Sequence, residues 1–126
     1  TERIYNAIKA KYPTSNIHLG GHSLGGQLTK HILYKNPSDK IFGYGFNSAP
    51  HNDFDKVEDP RYKPYRTTLD NEKDGDIVST TADRHRKNTV NIISSNKDVS
   101  PLTIHSMSNF PKRLSKRHST VPKRVE

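Results

Sequence analysis

Hydrophobic positions change their spacing along this chain, and each spacing predicts a different element. Ile17 and Leu19 alternate with polar neighbours, which is the period-two pattern of a strand. Leu24, Leu28 and Ile32 then recur every four residues, which predicts one face of a helix. The predicted order is a helix over 1–11, a strand over 17–21, a helix over 24–35, strands over 41–46, 66–69 and 89–93, and a short helix from residue 103.

Strands that alternate with helices in this order predict an α/β fold, with a mainly parallel sheet flanked by helices. The segment 49–65 departs from the pattern, since its three prolines stand among Asp, Asn, Lys and Arg. We expect it to be a polar excursion and not a core element. Near the end of the pattern, Ile104, Met107 and Phe110 have the spacing of one buried helix face.

The sequence Gly-His-Ser-Leu-Gly-Gly occupies residues 21–26, between the first strand and the second helix. A serine at such a junction has the geometry of a nucleophile elbow, a strained turn that exposes the hydroxyl and needs small neighbours. We therefore expect Gly21 and Gly25 to give Ser23 that room. Two alternatives are a merely flexible glycine-rich turn and a phosphate-binding loop, although the Gly-Lys-Ser/Thr ending of the latter is missing.

A serine hydroxyl needs a general base, usually a histidine that a carboxylate holds in one tautomer. On folds of this type the acid and then the histidine follow the serine along the chain. The candidate acids are Asp70, Asp74 and Asp76, in the loop after the predicted strand 66–69. Asp76 is preferred, because a glycine precedes it and two apolar residues follow it. The alternative is that all three are solvated loop carboxylates.

Of the seven histidines, only His85, His105 and His118 follow the candidate acids. His105 is preferred as the base, because it comes after the last strand and begins an amphipathic turn. The other two lie in charged segments of the chain. For His22, inside the elbow, we expect a packing role and not catalysis. No pair of histidines has metal-ligand spacing with a carboxylate, so we predict no metal site.

Four blocks of this sequence resemble, in order, those of class 3 (fungal-type) lipases. They are Gly-His-Ser-Leu-Gly-Gly at 21–26, Gly-Phe-Asn-Ser-Ala-Pro at 45–50, Gly-Asp-Ile-Val-Ser at 75–79 and His-Ser-Met-Ser-Asn-Phe at 105–110. The resemblance implies an α/β-hydrolase fold and hydrolysis of carboxylic esters of lipids without a cofactor. It implies Ser23 as nucleophile, Asp76 as acid, His105 as base and the Leu24 amide as one oxyanion donor.

The chain departs from that family in two places. Ser79 stands where the family commonly has proline, and only one helix precedes the elbow strand, where the family has several strands. We therefore expect residues 1–110 to form a partial α/β-hydrolase domain that lacks the N-terminal strands. An unpaired sheet edge in such a domain predicts self-association. The alternative function is an inactive lipase-like fragment that binds lipid or a partner.

Composition and charge suggest a binding partner and exclude cysteine chemistry. With no cysteine, disulfides and thiolate catalysis are excluded. The lack of a signal peptide pattern and of a long apolar run favours a cytoplasmic location. Much of the net charge of +8 lies in residues 111–126, which we predict to be a disordered basic tail. Such a tail attracts anionic membrane surfaces, whereas the absence of interleaved aromatic residues argues against nucleic acid.

Overall fold

The computed structural model describes residues 1–68, 75–80, 82–93, 104–107 and 110. The predicted basic tail over 111–126 lies outside these ranges, as do the alternative acids Asp70 and Asp74 and the alternative base His118. The preferred nucleophile, acid and base, Ser23, Asp76 and His105, all lie within them.

Four parallel strands form one sheet in the order β1-β2-β3-β4, and helices flank it. The strands are β1 (Ile17–His22), β2 (Ile41–Phe46), β3 (Tyr62–Thr68) and β4 (Val90–Ile93), and the helices are α1 (Glu2–Lys11), α2 (Leu24–Lys35) and α3 (Ile77–Thr80). The predicted α/β class with a parallel sheet is therefore confirmed. Because the strands are parallel, their carboxyl ends meet at one edge, where α/β proteins place their sites. No helix in the described ranges has the length and apolar character to cross a bilayer.

The segment 49–65 is more ordered than the sequence pattern predicts. Strand β3 begins at Tyr62, four residues before the predicted strand, and Phe54 lies in a short 3-10 helix; both side chains are buried. Pro64 has no amide hydrogen to donate, and β3 tolerates it for two reasons. Only alternate residues of β3 bond to β2, and β3 first pairs with β4 at Tyr65, one residue after the proline. The prediction that this segment contributes nothing to the core is wrong.

The hydrophobic core lies between the sheet and the helices on one of its faces. Its buried members are Tyr5, Ile32, Leu33, Ile41, Phe54 and Tyr62. The predicted face of α2 is correct only at Ile32, because Leu24 and Leu28 are exposed. The helix instead turns Gly26, Thr29 and Leu33 towards the sheet, at spacings of three and four residues.

The described residues near the end of the chain bear out two of three expected core positions. Ile104 and Phe110 are buried, whereas Met107 is 39% exposed. Phe110 packs edge-on against Phe46 of β2, with ring centroids 5.2 Å apart. This contact anchors the chain after His105 on the sheet face opposite the core.

Candidate active site

Ser23 occupies a strained turn between β1 and α2. Its φ of 56° and ψ of −116° lie in a region that non-glycine residues rarely adopt, and of the described residues only Asn47 shares a positive φ without being glycine. The Ser23 amide donates to Phe46 O at 3.1 Å, and its carbonyl accepts from the amides of Gly26 and Ala49 at 3.0 and 2.9 Å. These bonds hold the turn in the conformation expected of a nucleophile elbow.

Close packing at the elbow explains two of its glycines but not Gly25. A Cβ atom on Gly21 would lie 2.1 Å from the carbonyl oxygen of Gly25, and one on Gly26 would lie 2.0 Å from Ser48 Oγ. A Cβ on Gly25 would meet no atom within 4 Å. The expectation that Gly21 and Gly25 make room for the elbow is therefore correct for Gly21 and wrong for Gly25; the second tight position is Gly26.

Alanine substitutions at Gly25 and Gly26 should change stability in opposite directions. Gly25→Ala fills open space in a helix and should raise the free energy of unfolding by about 0.5–1 kcal/mol. Gly26→Ala forces a methyl group into Ser48 and should lower it by about 1–3 kcal/mol. Urea denaturation of the two variants measures the difference directly. Equal stability of the two variants would contradict this account of the elbow.

The structure brings Ser23, Asp76 and His105 into one chain of contacts. His105 Nε2 lies 2.7 Å from Ser23 Oγ, and its Nδ1 lies 2.6 Å from Asp76 Oδ1. An ionised carboxylate only accepts hydrogen bonds, so the neutral imidazole carries its proton on Nδ1. The lone pair on Nε2 then faces the serine hydroxyl, as a general base requires. The other candidate base, His85, is exposed in a short 3-10 helix.

Asp76 is held in the loop between β3 and α3. Its amide donates to Thr67 O at 2.9 Å, and its Oδ2 accepts from the amide of Ser79 at 2.7 Å. A proline at position 79 has no amide hydrogen, so the departure from the lipase pattern adds a bond to the carboxylate. Gly75 is needed for space, because its Cβ would lie 2.6 Å from Thr67 O.

Arg66 supports the same loop from β3. Its buried guanidinium donates to the Asp76 carbonyl at 3.3 Å and to Thr80 Oγ1 at 3.0 Å. Burial lowers the pKa of this arginine, while the charge of Asp76 opposes the shift. The Arg66 guanidinium therefore places a positive charge beside the loop that carries Asp76.

Leu24, the expected oxyanion donor, is the first residue of α2. The amides of a first helical turn have no acceptor within the helix, so the Leu24 N–H is available to a bound anion. It follows Ser23 directly, which is where the first oxyanion donor of an elbow stands.

Sequence reasoning missed two residues that contact the main chain of His105. His22, expected only to pack, places Nε2 2.6 Å from the His105 carbonyl oxygen, and Asn47 places Nδ2 3.2 Å from the same oxygen. Asn47 follows β2 directly, so its position at the carboxyl edge of the sheet was a usable signal. The contacts themselves depend on the fold, because more than fifty residues separate either side chain from His105.

A second histidine pair links His31 of α2 to His51. The amide of Phe54 donates to His51 Nδ1 at 3.1 Å, which leaves the proton of neutral His51 on Nε2, 3.2 Å from His31 Nδ1. His31 Nε2 in turn lies 2.8 Å from Glu2 Oε1. Desolvation, and then the charge of His31, lower the pKa of His51. In the described ranges, no group of three or more His, Cys, Asp or Glu side chains is arranged to hold a metal ion.

This pair predicts that stability falls in mild acid. Because the folded pKa of His51 lies below the unfolded value of about 6.5, the unfolded chain binds more protons between the two values. The contribution of His51 is therefore complete above the unfolded pKa and is lost as the pH falls through the folded one. Urea denaturation at acid and neutral pH should show a smaller pH difference for His51→Gln than for the parent protein. His85→Gln, at an exposed histidine, should leave the difference unchanged; an unchanged difference in His51→Gln would refute the assignment.

The chain matches no family model, no curated protein and no solved structure. Its functional interpretation therefore depends on the geometry around Ser23 and on the four sequence blocks that resemble class 3 lipases.

Proposed function

We propose that this protein is a serine ester hydrolase of the class 3 lipase type, with a partial α/β-hydrolase fold, that cleaves carboxylic esters of lipids. The observation that carries the proposal is the contact chain from Ser23 Oγ through the His105 imidazole to the Asp76 carboxylate, at 2.7 and 2.6 Å. These residues come from three separate segments of the chain and meet at one edge of the sheet. Their order along the chain is that of α/β-hydrolases.

In the proposed reaction Ser23 Oγ attacks the acyl carbon while His105 Nε2 takes the hydroxyl proton. Asp76 stabilises the imidazolium that results, and the Leu24 amide donates to the developing oxyanion. Collapse of the tetrahedral intermediate breaks the ester bond, and the departing alcohol takes the proton from His105. Water then attacks the acyl-serine with His105 as base again, which releases the carboxylic acid and restores Ser23.

Exposed apolar side chains beside the elbow support a lipid ester as substrate. Leu24 is 60% exposed directly after Ser23, and Leu28 follows it on the same face of α2. Leu28 also borders an apolar groove of about 260 Å³ between α1, β1 and α2, to which Ile4 and Ile8 contribute. Ser23 is not among the residues that line this groove. Apolar surface of this kind is suited to acyl chains or to a lipid surface.

A fluorescent fluorophosphonate probe tests the proposal, because it phosphonylates serines that an adjacent base activates. We expect one label per molecule, located by mass spectrometry on the peptide that contains Ser23. Urea-unfolded protein is the matched control, since an isolated serine hydroxyl is a weak nucleophile and should remain unlabelled. No labelling of the folded protein, or equal labelling of exposed serines such as Ser15, would refute a competent Ser23–His105 pair.

The same exposed apolar surface favours one alternative, an inactive lipase-like protein that binds lipid. Vesicle binding and Ser23 labelling, measured together, distinguish the two functions. Co-sedimentation with phosphatidylcholine vesicles in the absence of any Ser23 labelling would favour the binding function, whereas labelling with turnover of emulsified acylglycerol would favour the hydrolase. Stronger binding when phosphatidylserine is added would support an anionic membrane partner, and high salt should weaken that increment.

A further inference from the structure

The main-chain carbonyl of His105 has side-chain hydrogen-bond partners on two elements. His22, the last residue of β1, approaches this oxygen to 2.6 Å, and Asn47, the residue after β2, approaches it to 3.2 Å. Here the carbonyl of the proposed base is bound by two residues that lie next to the ends of the neighbouring strands.

The proton positions in these contacts follow from the partners. A carbonyl oxygen only accepts, so His22 must carry a hydrogen on Nε2. The Asn47 side chain is equally determined, because its Oδ1 accepts from the amide of Thr67 at 2.8 Å. Its Nδ2 therefore faces the carbonyls of Ile104 and His105, each at 3.2 Å. Both side chains are donors toward the segment that carries the base.

Asn47 connects the proposed base and acid to the same strand. It is fully buried with a φ of 46°, and its amide donates to Tyr65 O of β3 at 2.8 Å. Its side chain bonds to Thr67 of β3, whose carbonyl accepts the Asp76 amide. Thr67 thus bonds directly to the main chain of Asp76, and it is linked to the main chain of His105 through Asn47. Among residues whose side chain offers an amide donor, Asn is the one that a positive φ favours.

His22 connects the base to the nucleophile. It precedes Ser23 directly, and its ring centroid lies 4.7 Å from that of His105, with the planes inclined by 35°. The hydrogen bonds of Ser23 and Asp76 to His105 are made to its two ring nitrogens. A ring held at its two nitrogens still shifts if its own main chain shifts, so the carbonyl contacts complete its fixation.

We propose that His22 and Asn47 are positioning residues, which fix the His105 imidazole by holding its main-chain carbonyl. This inference rests on the proposed hydrolase function. Because neither side chain contacts the reacting atoms, their loss should lower kcat and leave KM nearly unchanged. A displacement of about 1 Å in a reacting group lowers rates on the order of 10²-fold.

Two substitutions at His22 separate hydrogen bonding from packing. His22→Phe keeps an aromatic ring but has no donor, whereas His22→Gln offers an amide donor at a similar distance along the side chain. We expect His22→Phe to lower kcat and the rate of fluorophosphonate labelling roughly 10–100-fold, with KM little changed, and His22→Gln to recover most of the loss. His18→Phe, the same change on an exposed histidine of β1, should leave both rates unchanged. Equal rates in the Phe and Gln variants would overturn the proposal for His22.

Asn47→Asp tests the second contact by replacing the amide donor of the side chain with an acceptor oxygen. It preserves the acceptor for Thr67 and the tolerance for a positive φ, but it turns an oxygen towards the two carbonyls. We expect a loss of kcat at least as large as in His22→Phe. Asn47→Asp with an unchanged kcat would overturn the proposal for Asn47.

A measurement without substrate separates this inference from the hydrolase proposal. In proton NMR, the His105 Nδ1 hydrogen bonded to Asp76 should give a strongly downfield resonance. We expect that resonance to persist in His22→Gln and to broaden or disappear in His22→Phe and Asn47→Asp. If the resonance responds to the three variants as expected but the parent protein shows neither label nor turnover, the hydrolase function fails and the positioning role stands. If the resonance is unaffected in all three variants, the positioning role fails whatever the activity.

Discussion

We expect Ser23→Ala to reduce ester hydrolysis to the background rate and to abolish fluorophosphonate labelling. The reason is that the oxygen 2.7 Å from His105 Nε2 is the atom that would form the acyl-enzyme bond, and alanine offers no replacement. Loss of a nucleophile that works with its base costs on the order of 10⁴–10⁶ in kcat, the upper value being that measured for subtilisin. The measurement is the hydrolysis of a short-chain nitrophenyl ester by matched preparations of both proteins.

The dependence of Ser23 on His105 supplies a sharper form of this test. Since nucleophile and base act as a unit, Ser23→Ala, His105→Ala and the double variant should lose nearly the same activity. Ser15→Ala, at an exposed serine before β1, should retain full activity. Retained hydrolysis in Ser23→Ala, or losses that multiply in the double variant, would show that the activity arises elsewhere.

Lys30→Met destabilises the fold by about 3–5 kcal/mol, the largest stability effect that we expect. The Lys30 side chain is fully buried on α2, where its ammonium lies 3.0 Å from both Asp55 Oδ1 and Asp83 Oδ1 and donates to Ala49 O at 3.1 Å. Removal of the cation leaves Asp83 buried with only the more distant Arg86, 3.5 Å away, among the described cations. Desolvation already raises the pKa of Asp83, despite the opposing charge of Lys30.

Urea denaturation and thermal unfolding measure the effect of Lys30→Met. Lys35→Met, on the same helix but exposed, is the matched control and should change stability by less than about 0.5 kcal/mol. Adding Asp83→Asn to Lys30→Met should recover part of the loss, because the buried carboxylate is then neutral. Equal stability of the two lysine variants would show that the buried ion pairs contribute little.

The polar composition of residues 49–65 led to the wrong prediction that this segment lies outside the core, and the reason is physical. Two of its charged residues bind partners on α2 and are not left in solvent: Asp55 pairs with Lys30, and the Arg61 guanidinium donates to the carbonyls of Leu33 and Asn36 at the end of α2. Polar residues that satisfy buried partners have the same composition as a loop. No pattern within the segment distinguishes the two cases.

The local pattern determined the elements that have simple periods. The helix over 24–35 and the strand over 41–46 have the predicted bounds. The spacing of hydrophobic residues within an element reflects which side of that element is buried, so a local pattern is enough to find it. The burial of Leu24 and Leu28 was predicted wrongly, since the rotation of α2 depends on the close approach of Gly26 to Ser48. That approach is a property of two elements together.

The sequence by itself determined the α/β class, the elbow motif and the chain order of Ser23, Asp76 and His105. Those features depend on short-range spacing and on residue chemistry. Only the tertiary structure decided that the three side chains meet, and that His22 and Asn47 reach the carbonyl of His105 across 83 and 58 positions of the chain. Such contacts arise because parallel strands bring their carboxyl ends to one edge, and no local pattern encodes which side chains then face each other.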